Sequence, residues 1–131
     1  PEITLVDVLP IYEAVGWTNY TQNPGMLEVA YKNSLHVLAA FNEEGILVGV
    51  LRAVGDAASI LFIQDILVYP EYQHQGIGTK LLQQTLEKYK NVYQIQLATD
   101  DSKKTVSFYE SNGFTSLTSL NCVSFMYTGN Q

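Results

Sequence analysis

Cysteine is almost missing from this chain. Cys122 stands alone among 131 residues, so no intramolecular disulfide and no thiolate metal cluster can form. No His, Asp or Glu spacing suits a metal either, and none is expected. Basic residues are scarce: seven Lys and Arg against thirteen Asp and Glu leave a net charge of −6. That balance weighs against nucleic acid as a partner and, weakly, toward a cationic small molecule or a basic peptide. No apolar run reaches membrane-spanning length, and the beginning of the chain lacks the basic-then-apolar pattern of a secretory signal. Repeats, low-complexity tracts and linkers are absent as well. The expectation is one domain over residues 1–131, in a reducing cytoplasm, away from membranes. A hydrophobic content of 47% is enough for a core that needs no staples.

What is present is organised around residues 67–82, where an apolar strand meets a Pro70 turn, a glycine-punctuated loop and an amphipathic helix. Gly76 and Gly78 let the backbone approach a bound group closely and adopt positive φ. The helix that follows begins with unpaired N–H groups and the positive end of its dipole, which together attract phosphate. The local physics is that of an anion cradle, most plausibly for a pyrophosphate; the plainer alternative is a strand-to-helix joint whose glycines only relieve crowding. Neither a P-loop nor a dinucleotide fingerprint fits. Gly78 is followed by Thr79-Lys80 in the wrong order for the first, and the third glycine of the second falls on Leu81.

Elsewhere the pattern predicts an opening strand over residues 3–6 and a helix capped by Asp7, with Pro10 in its first turn. A polar loop over 16–23 carries Trp17 and Tyr20. Asn23-Pro24 starts a second helix. Two strands, 35–41 and 46–54, form a hairpin around Gly45. A third strand, 60–69, is apolar enough to be covered on both faces, apart from Gln64-Asp65. The helix after the glycine loop presents Ile77, Leu81, Leu82, Thr85, Leu86 and Tyr89 to a sheet. A strand over 92–98, a helix from the 99–102 cap cluster to Gly113, and strands over 114–117 and 122–128 complete the order β-α-α-β-β-β-α-β-α-β-β. The fold class is α/β, a mixed sheet with helices on its faces and a central βαβ crossover.

Two segments carry a resemblance. Gln73-His74-Gln75-Gly76-Ile77-Gly78 is similar to the acetyl-CoA signature of the GNAT superfamily of N-acetyltransferases, Gln/Arg-x-x-Gly-x-Gly/Ala. Phe108-Tyr109-Glu110-Ser111-Asn112-Gly113-Phe114 resembles that family's second signature, a helix ending in Phe-Tyr-x-x-x-Gly-Phe. The element order resembles the family fold from end to end. Residues 64–72, with Val15-Gly16-Trp17, look like a subgroup that includes plant plastid acetyltransferases of arylalkylamines and protein lysines. Gln73 stands where Arg is more frequent, Ser102 where many members carry Asn, and Thr105 where many carry Ala.

The resemblance implies acetyl-CoA as co-substrate, its pyrophosphate held by the backbone at Gln73, Gln75, Gly76, Ile77, Gly78 and Thr79. It implies that the pantetheine arm pairs with the strand end at Ile66, Leu67 and Val68, where the Val68 N–H faces the reacting carbonyl. Tyr109 is the implied general acid for the departing thiolate, since a phenol near pKa ~10 can protonate a thiolate near ~8.5; periodicity alone makes it a core aromatic. Asp65 is either the base that relieves the acceptor ammonium of its proton, directly or through water, or a structural carboxylate where the strand bulges. Gln64 would lie on the opposite face of a regular strand. Trp17 and Tyr20 border the acceptor pocket in this fold, as a wall for the amine or as loop anchors. His74 is expected to point outward, Lys80 to sit on a solvated helix face, His36 to be a satisfied core or edge residue, and Cys122 to be a small buried one. The reading is acetyl transfer from acetyl-CoA to a primary amine by direct attack in a ternary complex. The acceptor is a small amine or a protein lysine or N-terminus, and the protein a monomer or homodimer. A non-catalytic acyl-CoA-binding module of the same fold is the alternative.

Overall fold

Thr4 and Asp7 decide how the chain begins. In the computed structural model, which describes residues 3–129, the Asp7 carboxylate accepts from the Thr4 backbone N–H at 2.9 Å and the Thr4 hydroxyl at 3.0 Å. Asp7 therefore sits one turn inside a helix capped by Thr4, and α1 runs over Leu5–Ala14. The strand expected over 3–6 is replaced by this helix start. Pro10 then falls in the helix interior and cannot donate to the Val6 carbonyl. Val6 is 82% exposed, a position where water can take the missing bond.

A short helix, α2 (Thr18–Thr21), interrupts the polar loop. As the sequence predicts, α3 (Pro24–Asn33) starts at Asn23, whose side chain accepts from the Met26 N–H at 3.4 Å. The strands are β1 (His36–Phe41), β2 (Leu47–Gly55), β3 (Ile60–Val68) and β4 (Gln94–Leu97), hydrogen-bonded in that order. The first three are antiparallel, and β4 lies parallel to β3. Gly45 at φ +81° closes the β1–β2 turn, where the Asn42 side chain accepts from the N–H groups of Glu44 and Ile46. The crossover between β3 and β4 is α4 (Ile77–Lys88).

The strand covered on both faces is β2 rather than β3. Every residue of β2 from Leu47 to Ala53 is buried, whereas β3 alternates. One face of β2 supplies Val50 to a core with Val8, Ile11 and Tyr12 of α1, Leu27 and Tyr31 of α3, and Leu67 of β3. The other face lies under α4: a Cβ added at Gly49 would come within 3.0 Å of Ile77 and 3.3 Å of Leu81. His36 pins the same helix. Its Nε2 lies 3.0 Å from the Thr85 hydroxyl, which itself donates to the Leu81 carbonyl, so the imidazole is the donor. This is the satisfied core histidine the sequence predicts.

The described residues divide into two compact units, one up to Ala98 and one from Thr99 onward. In the second, α5 (Lys103–Ser111) is capped by Ser102, which accepts from the Thr105 N–H at 3.3 Å. It ends in a Schellman motif: Phe114 N–H donates to Tyr109 O at 3.0 Å and Gly113 N–H to Glu110 O at 3.2 Å, with Gly113 at φ +93°. The Gly-Phe of the second signature is thus a helix stop. The closing strands expected over 114–117 and 122–128 do not form among the described residues. Ser116 caps a 3-10 turn over Leu117–Leu120, Asn121 leaves it at φ +62°, and 122–129 runs outside any strand. Cys122 is exposed, not the small buried residue expected.

Candidate active site

The glycine loop is a run of main-chain donors. Pro70 opens a 3-10 turn over Pro70–Tyr72, and the chain then passes through His74 at φ +66° and Gly76 at φ +82° before α4 begins. Nothing lies within 4 Å of a Cβ built at Gly76, so glycine is required there by backbone conformation and not by space. The first backbone bond of the helix is Lys80 N–H to Gly76 O. The N–H groups of residues 74–79 consequently have no acceptor among the described residues, and the helix dipole adds to their positive potential. His74 and Lys80 are exposed, as expected.

The end of β3 continues this run. Tyr69 N–H donates to Val48 O at 3.0 Å, so residues 48 and 69 are a hydrogen-bonded pair. Antiparallel alternation then turns the main-chain groups of Val68, opposite Gly49, and of Ile66, opposite Leu51, away from β2. On that side β4 pairs only with residues 60–63, so among the described residues no strand pairs with the edge at Ile66 and Val68. The Gln73 side chain confirms the direction of the carbonyl, donating to Val68 O at 3.1 Å. Gln73 therefore ties the loop to the strand. An open edge leading into a row of free N–H groups fits a donor with a peptide-like arm and a pyrophosphate, the chemistry of coenzyme A.

On the α1 and α3 side, Asp65 lies in a closed polar network. One carboxylate oxygen accepts from Tyr12 OH at 2.7 Å and from Arg52 Nε at 2.8 Å. The other accepts from Tyr20 OH at 3.4 Å. Tyr31 OH lies 2.9 Å from Tyr12 OH, and Arg52 also reaches the Ser34 hydroxyl at 3.3 Å and covers the Tyr31 ring. Burial pushes the Tyr31 phenol up to about 12 and raises Tyr12 further, reinforced there by Tyr31 and the Asp65 charge. Burial opposes the charge of Arg52, but the Asp65 carboxylate overrides it and holds the guanidinium above its ordinary value. The ladder slips between Arg52 and Ala53, leaving Gln64 without an opposite residue. Its exposed amide donates to the same Tyr20 hydroxyl at 3.4 Å, so the bulge brings Gln64 and Asp65 to one group instead of separating them.

Trp17 stacks on Tyr20 at 6.0 Å between ring centroids and meets Tyr12 edge-on at 5.9 Å, while Tyr12 lies 5.1 Å from Tyr20. The rings expected to border an acceptor are thus also the roof of the Asp65 network. Tyr12, Tyr31, Ser34 and Arg52 escape a reading by motif. The signal that finds one of them, Arg52, is a lone Arg in the apolar run of β2 beside the lone Asp65 in that of β3: buried opposite charges on adjacent strands belong together.

Tyr109 lies on α5 in the second unit. It is half-buried, edge-on to Phe108 at 5.0 Å and to Phe114 at 5.9 Å. Burial, followed by the nearby Asp100 charge, raises its phenol and keeps it protonated at neutral pH. Among the described residues no group of His, Cys, Asp and Glu is arranged to hold a metal ion, and no helix is long and apolar enough to cross a membrane.

Residues 32–116 match the family described as acetyltransferase (GNAT) domain. An acetyltransferase of the GNAT family from Streptococcus pneumoniae is 42% identical in sequence and superposes with a TM-score of 0.89, over 100% of this chain and 96% of that one. Among curated relatives, the uncharacterized N-acetyltransferase ycf52 of Gracilaria tenuistipitata var. liui is 28% identical over 117 residues, covering 86% of this chain and 62% of the relative. The chloroplastic GCN5-related N-acetyltransferase 2 of Arabidopsis thaliana is 30% identical over 135 residues, covering 86% and 50%. The chain spans 52–65% of the length of the first curated relatives it matches.

Proposed function

This chain belongs to the GNAT acetyltransferase family, and from that premise we propose that it transfers an acetyl group from acetyl-CoA to a primary amine by direct attack in a ternary complex. The observation that carries the proposal is the continuity between the free edge of β3 at Ile66 and Val68 and the unpaired N–H groups of 74–79. Acetyl-CoA supplies an activated thioester. The residues at Gln73, Gln75, Gly76, Ile77, Gly78 and Thr79 hold its phosphates, and the strand end at Ile66, Leu67 and Val68 aligns its arm. The Val68 N–H stabilises negative charge on the reacting carbonyl, a contribution of a few kcal/mol. Tyr109 protonates the leaving thiolate, an assignment that rests on the resemblance of its helix to the family signature.

Asp65 takes the acceptor's proton, and Trp17 and Tyr20 line the acceptor side. The acidic net charge favours a cationic acceptor, either a small amine or a protein lysine or N-terminus. The cytoplasmic setting belongs to the same proposal; a lone cysteine suits any reducing compartment.

The test is thiol release from acetyl-CoA against a panel of amines, beside thermal stabilisation by coenzyme A. Tyr109→Phe is expected to lower turnover about a hundredfold with coenzyme A affinity nearly intact; unchanged turnover removes the acid role. One observation favours a second reading. Asp65 is buried and already bonded to Arg52 and Tyr12, as a purely structural carboxylate would be, which suits a non-catalytic acyl-CoA-binding module. Stabilisation by coenzyme A with no release for any amine would establish that module.

A further inference from the structure

Asp65 has one oxygen fully engaged and one nearly free, and the free one leads to a single group. Oδ2 accepts from both Tyr12 and Arg52, at 2.7 and 2.8 Å; Oδ1 accepts only from Tyr20, at 3.4 Å. The Asp65 side chain is 1% exposed, which keeps an acceptor nitrogen from reaching it directly. Tyr20 is half-buried and its hydroxyl also receives the exposed Gln64 amide. Of the groups that bond to Asp65, Tyr20 is the one that is not itself buried.

We propose that the Tyr20 hydroxyl is the group that takes the proton from the acceptor nitrogen, passing its own proton to Asp65 Oδ1, with Arg52 and Tyr12 as positioning residues for that carboxylate. The inference rests on the acetyl-transfer reading and deepens it by routing the proton. As the neutral amine forms its N–C bond to the acetyl carbon and the C–S bond breaks, the N–H becomes acidic. Its proton moves to the Tyr20 oxygen while the Tyr20 proton moves to Oδ1, and the sulfur receives a proton from the general acid. A protonated Asp65 leaves the Arg52 charge uncompensated, so the proton returns through Tyr20 to water and the network is reset.

Three features support this path. The Tyr20 ring is held between Trp17 and Tyr12, so the hydroxyl is aimed and not free to swing. At 3.4 Å the Tyr20 bond is longer than an ordinary O–H···O bond, so Oδ1 keeps acceptor capacity for the incoming proton. Among the described residues hydrogen-bonded into this network Asp65 is the one carboxylate: α1 presents Tyr12, α3 presents Tyr31, β2 presents Arg52, and β3 adds the neutral Gln64.

The experiment compares the unaltered chain with Tyr20→Phe, Asp65→Asn and the double variant, using 2-phenylethylamine, spermidine and a lysine-containing peptide as acceptors. Tyr20→Phe keeps the ring, so a wall or anchor role is preserved and the melting temperature should hardly move. The expected result is a fall in kcat of about a hundredfold with KM for acetyl-CoA and acceptor little changed. The double variant should fall no further than Tyr20→Phe alone. If Asp65→Asn fails to fold, the kcat against KM split in Tyr20→Phe carries the test by itself. A kcat within threefold of the unaltered chain, or a rise confined to acceptor KM, overturns the relay and leaves the transferase reading standing. No thiol release by the unaltered chain with any of the three amines overturns both.

Discussion

The donor side and the acceptor side of this molecule are built from different materials. The glycine loop and the β3 edge offer main-chain N–H groups, and the side chains of Gln73, His74, Gln75 and Thr79 are exposed. The Asp65 network is made of side chains from α1, α2, α3, β2 and β3, most of them buried. A site made of backbone depends on φ and on where a helix starts. A site made of side chains depends on which partners are present, and a single loss exposes the remainder to the full cost of an unpaired buried charge.

The sharpest way to break the comparison is Asp65→Leu. It leaves Arg52, 5% exposed, with a buried charge and no carboxylate. The expected loss is about 3–5 kcal/mol in urea unfolding. Replacing both residues, Arg52→Met with Asp65→Leu, should recover most of it, because two apolar side chains owe no desolvation. If the double variant is no more stable than the single one, the network contributes specific structure that hydrophobic packing cannot replace. On the donor side Gly76→Ala should cost less, about 1–2 kcal/mol, since the added Cβ meets no atom and only the φ of +82° is strained. Coenzyme A affinity should drop by more than stability does, as relaxation of φ tilts the loop N–H groups. Calorimetric binding beside a melting curve separates the two effects, and an unchanged affinity would show that the loop geometry is not the anion cradle.

The same contrast governs what could be read from the sequence. The loop is contiguous, so Gln73 through Thr79 and the helix behind them are visible as one spacing, and the Gly113 stop is visible for the same reason. Strands β1 to β4 are legible from their apolar runs and from the Asn42–Gly45 turn, but which strand is covered on both faces is not, since that depends on where α1, α3 and α4 pack. Tyr12, Tyr31, Arg52 and Asp65 are separated by up to 53 positions and meet only through register, so no local pattern links them. Asp7 lies three residues beyond the expected cap because its carboxylate suits either the cap or the third helical position, and Thr4 decides between them. The closing strands differ for a related reason: residues 122–128 have the composition of a strand, but composition is local while pairing register with a neighbour is not.

The smallest expected effect concerns neither site directly but the pin at the far end of the helix that follows the donor loop. His36 donates to Thr85 of α4 and lies edge-on to Tyr89 at 5.0 Å. Burial, and after it the charge of Lys88, lowers its protonation below the ordinary value of about 6.5. The unfolded chain therefore binds a proton more readily than the folded one over the window just below pH 6.5. The stability associated with neutral His36 is fully present above that value and declines as pH falls, levelling once the folded imidazole also protonates. One proton limits the slope to about 1.4 kcal/mol per pH unit. His36→Gln keeps an amide donor for Thr85 and removes the titration. Chemical unfolding between pH 7.5 and 5.5 should show a decline in the unaltered chain that is shallower in the variant. Because His36 touches α4 at Thr85 and Tyr89 and not the α1 and α3 side, the decline should be accompanied by faster amide exchange in the last turns of α4 and not at Tyr12 or Tyr31. Equal slopes in the two proteins would mean that the charged imidazole is accommodated without loosening α4.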